Sequence, residues 1–306
     1  MDTVLVTGVE GMIGYAVAAR LRDAGFGVVG TDQRIADAAA LGVPVVRADL
    51  GDVHALYGAL VGHRCTAVVH CGAISGPMLA RDDPAFLMHA NVTGTLNILE
   101  ACRRLKLRRL VHCSSLMVYG ANDGSELRED APLLARDTYG ASKVAAEALV
   151  RAYAAEHGVE AVMARLAWVY GPRRQTADGI RAMLVDALAG RPTRFASGRS
   201  ALRQYVHVDD VAAALVALLE APILPGQAYN VSGGDYRPFP AVVDLVRGLF
   251  PAADIAVGDA PDPEDPPMGP LSLDAIARDI GWRPAIPLAD GFASYADWLR
   301  SRLPNG

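Results

Sequence analysis

Tyr139 and Lys143 stand four residues apart in "DTYGASK" (137–143), at the opening of the alanine-rich stretch "ASKVAAEALVRAYAAEHG". On a helix that spacing puts both side chains on one face, a turn from each other. An ammonium held beside a phenol stabilises the phenolate, which is what an acid/base pair for proton exchange with a hydroxyl requires. The same two residues also read as a tyrosine packed at a helix start and a lysine laying its stem along the surface. The surrounding chain has to decide between the two.

A second stretch could hold a phosphate. "TGVEGMIG" places Gly8, Gly11 and Gly14 between a first strand and a first helix. The spacing is G-x-x-G-x-x-G rather than G-x-G-x-x-G, but the physics is shared: a side-chain-free turn, close backbone approach, and a helix N-terminus facing a pyrophosphate. Asp32 closes the next strand, where a carboxylate accepts both hydroxyls of an adenosine ribose and repels a 2′-phosphate. NAD rather than NADP is therefore the expected cofactor, although Arg34 nearby would suit a 2′-phosphate. Asp49, at the end of the third strand, either reaches an adenine amino group or caps the helix beginning near Asp52.

The elements that must position these residues follow a strand–helix rhythm. "TVLVTG" (3–8), "GVVGTD" (27–32), "PVVRADL" (44–50), "AVVHCGA" (67–73), "RLVHCSS" (109–115) and "EAVMARLAWVYG" (160–171) are apolar along their length. That pattern suits a parallel sheet buried on both faces, with helices between its strands. The predicted fold is α/β, a doubly wound parallel-sheet Rossmann domain with a smaller C-terminal substrate-binding lobe. Residues 1–171 and 204–232 are assigned to the NAD-binding domain, and 172–203 and 233–306 to the lobe. Within the lobe the stretch up to 203 reads as a helix followed by a polar loop. "GDAPDPEDPPMGP" (258–270) reads as an irregular exposed loop.

Bulk properties narrow the function. The chain has 306 residues, 52% hydrophobic, with a net charge of −5. Its acid excess is mild and dispersed, which leaves no footprint for nucleic acid. The longest apolar run, "VAAALVALL" (211–219), is far short of a membrane span. Cys65, Cys71, Cys102 and Cys113 have no metal-ligand spacing and read as reduced structural thiols, so no metal is expected. A strand begins almost at the first residue, with no charged-then-apolar leader before it, and the expected location is the cytoplasm.

Taken together, "TGVEGMIG", Asp32, "HCGA" (70–73), "NVTGTLNILEA" (91–101), "SSLMVYG" (114–120) and "YGASK" resemble the extended short-chain dehydrogenase/reductase family. More narrowly, the chain is similar to its NAD-dependent epimerase/dehydratase branch, from about residue 3 to "IGWRPAIPLADGF" near the C-terminus. The ordered set of motifs, more than any one of them, carries the resemblance, and it makes Tyr139 and Lys143 the family's Y-x-x-x-K. It implies that Tyr139 exchanges a proton with a substrate hydroxyl, that Lys143 hydrogen-bonds the nicotinamide ribose, and that Ser115 orients the same hydroxyl. Gly72 and Ala73 would pass behind the cofactor, with Asn91 bracing the sheet nearby. With Tyr139 and Lys143, the remaining expected cofactor contacts are Gly8, Gly11, Met12, Ile13, Gly14, Asp32, Asp49, Leu50 and Leu166.

The resemblance leaves the reaction open. Dehydratases of the branch carry an Asp-Glu pair after the catalytic Ser or Thr, whereas Leu116 and Met117 stand here and neither moves a proton. Cys113, two residues before Ser115, lies on the same side of its strand, as a further acid/base or as packing. Arg203 in "ALRQYVHVDDV" matches the place of a diphosphate-binding arginine, and Arg173 after "YGP" could assist. Trp168 replaces a frequent Asn, and the acids Asp259, Asp262, Glu264 and Asp265 would receive a second anion poorly. Ser75 could hydrogen-bond a sugar hydroxyl or carboxylate. Three readings follow: a nucleotide-sugar 4-epimerase with a transient keto intermediate, an NAD-dependent dehydrogenase of a free sugar, polyol, uronate or sugar acid, and a non-catalytic cofactor-binding regulator. In the family, helices matching 86–105 and 141–157 form a four-helix dimer interface, so a homodimer is implied.

Overall fold

The computed structural model describes residues 2–36, 38–76, 78–79, 81–176, 178–260 and 267–302. Its strands are β1 (Thr3–Thr7), β2 (Gly27–Asp32), β3 (Val45–Arg47), β4 (Ala67–His70), β5 (Arg109–Ser115), β6 (Ala161–Leu166), β7 (Trp168–Tyr170), β8 (Thr193–Ser197), β9 (Leu202–His207), β10 (Ala228–Val231), β11 (Tyr236–Pro238) and β12 (Ile255–Ala260). Its helices are α1 (Met12–Asp23), α2 (Val53–Gly62), α3 (Pro84–Met88), α4 (Gly94–Leu105), α5 (Thr138–His157), α6 (Gly179–Leu188), α7 (Val208–Glu220), α8 (Phe239–Leu249), α9 (Asp274–Ile280) and α10 (Leu288–Arg302). A π-helical turn, His89–Thr93, joins α3 to α4 without a break.

The main sheet runs in the order β10-β6-β5-β4-β1-β2-β3 with every pair parallel. The order turns back on itself at β1, and the carboxyl ends of β1 and β4 border the crevice where such sheets bind ligands. Alternate side chains build two cores. Val4, Val6, Val69 and Val111 meet Val17 and Leu21 of α1 and Val211 and Leu215 of α7. Leu5, Val68, Leu110 and Met163 meet Leu56 and Leu60 of α2, Ile98 and Leu99 of α4, and Val150 of α5. Each fully buried Val or Leu contributes roughly 1.5–3 kcal/mol, so both faces are held firmly.

The run 160–171 divides. β6 stays in the main sheet, while β7 leaves it to join the sheet β11-β9-β7. Ala167 donates to the carbonyl of Val231 at that parting point. The expected polar loop before residue 203 is instead β8, paired in parallel with β12. Thr193–Ser197 alternates buried and outward positions, and Arg194 on the outward side hid that period of two. The expected loop 258–270 begins as the end of β12 and resumes at Pro267, and Leu127 bridges Leu271. Residues 261–266, including Asp262, Glu264 and Asp265, lie outside the described residues. A third apolar cluster, built from Tyr170, Met183, Leu184, Phe239, Val242, Phe292 and Tyr295, sits under these C-terminal elements.

Candidate active site

Close packing shapes the glycine loop. Gly8 leaves β1 at φ +67°, and a Cβ there would lie 2.8 Å from Cα of Gly72. A Cβ on Gly14 would come 2.2 Å from the Gly8 carbonyl oxygen. Gly11 is the N-cap of α1 and supplies no side-chain acceptor, and the first turn carries no acid. The N–H groups of that turn are thus free for an anion, with the helix dipole behind them. Met12 and Ile13, at the start of α1, are half-buried beside it. The cradle fits the pyrophosphate of NAD.

Asp32 ends β2, where its Oδ2 accepts from the N–H of Glu10 at 3.1 Å. Asp49 accepts from the N–H of Gly51 at 2.7 Å, while Asp52 caps α2 by accepting from Ala55 at 2.9 Å. The capping reading of Asp49 therefore belongs to Asp52. Asp49 lines a recess of about 480 Å³ with Gln33, Arg34, Arg47, Ala48 and Asp52, beyond the ends of β2 and β3. Gln33 and Arg34, which follow Asp32 directly, form its near wall.

Behind the loop, the N–H of Gly72 donates to Oγ1 of Thr7 at 3.0 Å, and Thr7 is bonded to Nδ1 of His70 at 2.7 Å. Burial, assisted by the Lys143 ammonium, holds the His70 pKa down to about 3, so the imidazole is neutral. Leu50 packs between Gly72 and Gly94, and a Cβ on Gly94 would meet its side chain at 2.8 Å. Asn91, in the π turn, accepts from the N–H of Ile74 at 2.8 Å and donates to the carbonyl of Ile74 at 3.1 Å and to Oγ of Ser142 at 2.9 Å. Ser142 in turn donates to the carbonyl of Tyr139 at 2.7 Å. One asparagine thus ties the segment after Gly72 and Ala73 to the turn of α5 that bears Tyr139 and Lys143. Ser75, one residue further along, is exposed.

Asp137 starts α5 by accepting from Gly140 at 2.8 Å. A Cβ on Gly140 would sit 2.7 Å from the carbonyl oxygen of Met117, so the glycine of "YGASK" lets the helix start press on the turn after β5. Ser115, the last residue of β5, accepts from the N–H of Met117 at 3.2 Å and pairs in register with Leu166 of β6. Tyr139 is 7% exposed and Lys143 4%. The Lys143 ammonium donates to the carbonyl of Cys113 at 3.0 Å and lies 5.9 Å from the centre of the Tyr139 ring. Lys143 is thereby anchored near the carboxyl end of β5, the strand that closes on Ser115, with the Tyr139 ring one helical turn away.

Beneath them is a buried ion pair. Glu147 of α5 accepts from Arg165 of β6 at 2.9 and 2.7 Å and from Oγ of Ser114 at 2.7 Å. Burial raises the Glu147 pKa, but the hydrogen bonds and charge of Arg165 outweigh it, and the net shift is downward. Arg165 also donates to Tyr119 and to the carbonyl of Glu129, both at 2.8 Å. The network fastens α5 to β5 and β6.

The expected substrate residues separate. The guanidinium of Arg203 lies 5.2 Å from the ring of Trp168 and 5.5 Å from that of Phe239, and β7 and β9 run in parallel register. Arg173 does not join them. At φ +68° it turns toward the glycine loop, 3.8 Å over the ring of Tyr15 and 3.7 Å from the carboxylate of Glu10. Asp259 pairs with Arg199 at 2.8 Å, both exposed. Sequence reasoning passed over Glu10, Ser142 and the Glu147–Arg165 pair. A lone arginine inside the apolar run "AVMARL" was the available signal for the last.

This fold and site define an NAD-dependent enzyme of the extended short-chain dehydrogenase/reductase class. The NAD dependent epimerase/dehydratase family matches residues 4–232, and the chain belongs to it. A UDP-glucose 4-epimerase of Mycolicibacterium smegmatis is 33% identical over 317 residues, covering 97% of this chain and 98% of the relative. A dTDP-glucose 4,6-dehydratase of Streptomyces griseus is 29% identical over 265 residues, covering 85% of this chain and 80% of the relative. The structure of a Thermus thermophilus UDP-glucose 4-epimerase in complex with NAD superimposes with a TM-score of 0.88 at 29% identity, covering 98% of this chain and 100% of that one. Among the described residues, no helix is long and apolar enough to cross a membrane.

Proposed function

We propose that this protein is a nucleotide-sugar 4-epimerase. The observation that carries the reading is the buried set of Ser115, Tyr139 and Lys143 at the end of β5, in a chain whose relatives include UDP-glucose 4-epimerases along nearly its whole length. Bound NAD supplies a hydride acceptor that later returns the hydride. Tyr139 takes the proton of the sugar 4-hydroxyl as the C4 hydrogen leaves, and gives it back once the keto sugar has presented its other face. Ser115 donates a hydrogen bond to the same oxygen. Lys143, anchored on the Cys113 carbonyl, keeps a positive charge beside the phenol and favours its ionised form. Leu116 and Met117 are buried and apolar, which supports epimerisation over loss of water. Arg203, braced by Trp168 and Phe239, is the cation placed to meet a diphosphate.

The lobe formed by 172–203 and 233–306 is assigned to the nucleotide sugar, and residues 1–171 with 204–232 to NAD. We assign a homodimer through α4 and α5, to be checked by light scattering. Four free thiols fit a reducing compartment such as the cytoplasm. Incubation with UDP-glucose, UDP-galactose and the corresponding UDP-uronates, followed by NMR, tests the reaction. Inversion at C4 without net NADH is expected. Steady NADH release from a free sugar, with no conversion of any UDP-, GDP- or dTDP-sugar, would replace this reading by the dehydrogenase one.

A further inference from the structure

Glu10 stands just before the second glycine of the loop, yet its carboxylate works outside the loop. Its Oε1 accepts from the N–H of Ala36 at 2.7 Å, and its own N–H donates to Oδ2 of Asp32 at 3.1 Å. Asp32 Oδ1 accepts, at 3.4 Å, from the N–H of Arg34. Glu10 is only 8% exposed, with the Arg173 guanidinium 3.7 Å from its other oxygen. Two carboxylates therefore converge on the turn that follows β2, and between them they engage the N–H groups of residues 10, 34 and 36.

Those groups are what a 2′-phosphate on the adenosine ribose would need. A phosphate is held by converging N–H donors and guanidinium groups, and it is repelled by fixed negative charge at short range. Asp32 alone leaves the preference ambiguous, because Arg34 follows it two residues later and would serve such a phosphate. Glu10 removes the ambiguity by occupying the Ala36 N–H and adding a second negative charge. The Arg173 guanidinium lies beside this carboxylate at 3.7 Å and 3.8 Å over the face of Tyr15.

We infer that Glu10 is a second specificity-determining carboxylate, which with Asp32 excludes the 2′-phosphate of NADP from the adenosine end of the cofactor site. The inference rests on NAD dependence and on the placement of the adenosine ribose at Asp32. Glu10→Gln separates its two contributions, since the amide oxygen still accepts from Ala36 while the charge is gone.

The test is calorimetric titration of the full chain with NAD and with NADP, without sugar, for wild type, Glu10→Gln, Asp32→Ala and the double variant. Glu10→Gln is expected to tighten NADP about tenfold and to leave NAD within about twofold. The double variant should gain more NADP affinity than either single one. An unchanged NADP-to-NAD ratio in Glu10→Gln, alongside a shifted ratio in Asp32→Ala, would overturn the inference. So would equal weakening of both cofactors, which is the signature of a residue that only props the turn. A wild-type chain that bound neither dinucleotide would remove the cofactor reading and this inference with it.

Discussion

Replacing Glu147 by Gln keeps the size of the side chain and one acceptor, but removes the charge that neutralises Arg165. Arg165 and Glu147 are both fully buried, so water cannot take the place of the lost carboxylate. Breaking one partner of a buried pair costs about 3–5 kcal/mol. The remaining amide oxygen, able to accept from Arg165 or Ser114, places this variant at the lower end, about 3 kcal/mol. At about 2 °C per kcal/mol for a chain of this size, the melting temperature should fall by about 6 °C. Because the Glu147 pKa is depressed in the folded protein, its contribution is present above the ordinary carboxylate value of 4.5 and is lost as the pH falls through the depressed one. Urea unfolding at a series of pH values should therefore show wild type and variant well separated at about pH 7 and converging below about pH 4.5. A difference under about 1 kcal/mol at neutral pH, or one that stays constant into acid, would refute the reasoning.

Three further outcomes follow from the site. Tyr139→Phe should lower kcat by at least about 100-fold while NAD binding, read by calorimetry, persists; near-wild-type turnover would remove Tyr139 from the chemistry. Gly14→Ala forces a Cβ to 2.2 Å from the Gly8 carbonyl, so NAD affinity should fall sharply in a chain that still unfolds cooperatively. Arg203→Ala should raise KM for a UDP-sugar by about tenfold or more with a smaller change in NAD affinity, and an unchanged KM would place the diphosphate elsewhere.

The main sheet was legible because its strands are continuous apolar runs, and β5 in particular is bounded as "RLVHCSS" reads. β8 was not, since a strand exposed on one face and carrying Arg194 has the composition of a loop. The break after β6 was also hidden, because Leu166, Ala167 and Trp168 give an apolar run no signal of a change of sheet. Around the site, local spacing showed which residues gather at the ends of β1, β2 and β5. It could not show where Arg173 points, because that depends on Glu10 and Tyr15, at the far end of the chain. The Glu147–Arg165 pair escaped for the same reason: each half is ordinary until the fold brings the two together.

The π turn at His89–Thr93 makes one stretch of the chain intolerant of length change. A π turn holds one residue more than an α-helical turn, and each residue of an α-helix rotates its neighbours by about 100°. Deleting one residue there would relax the turn into a better helix and still swing Asn91 away from Ile74 and Ser142. The molecule would trade an irregular helix that ties the segment after Ala73 to the turn of α5 bearing Tyr139 for a regular one that ties neither.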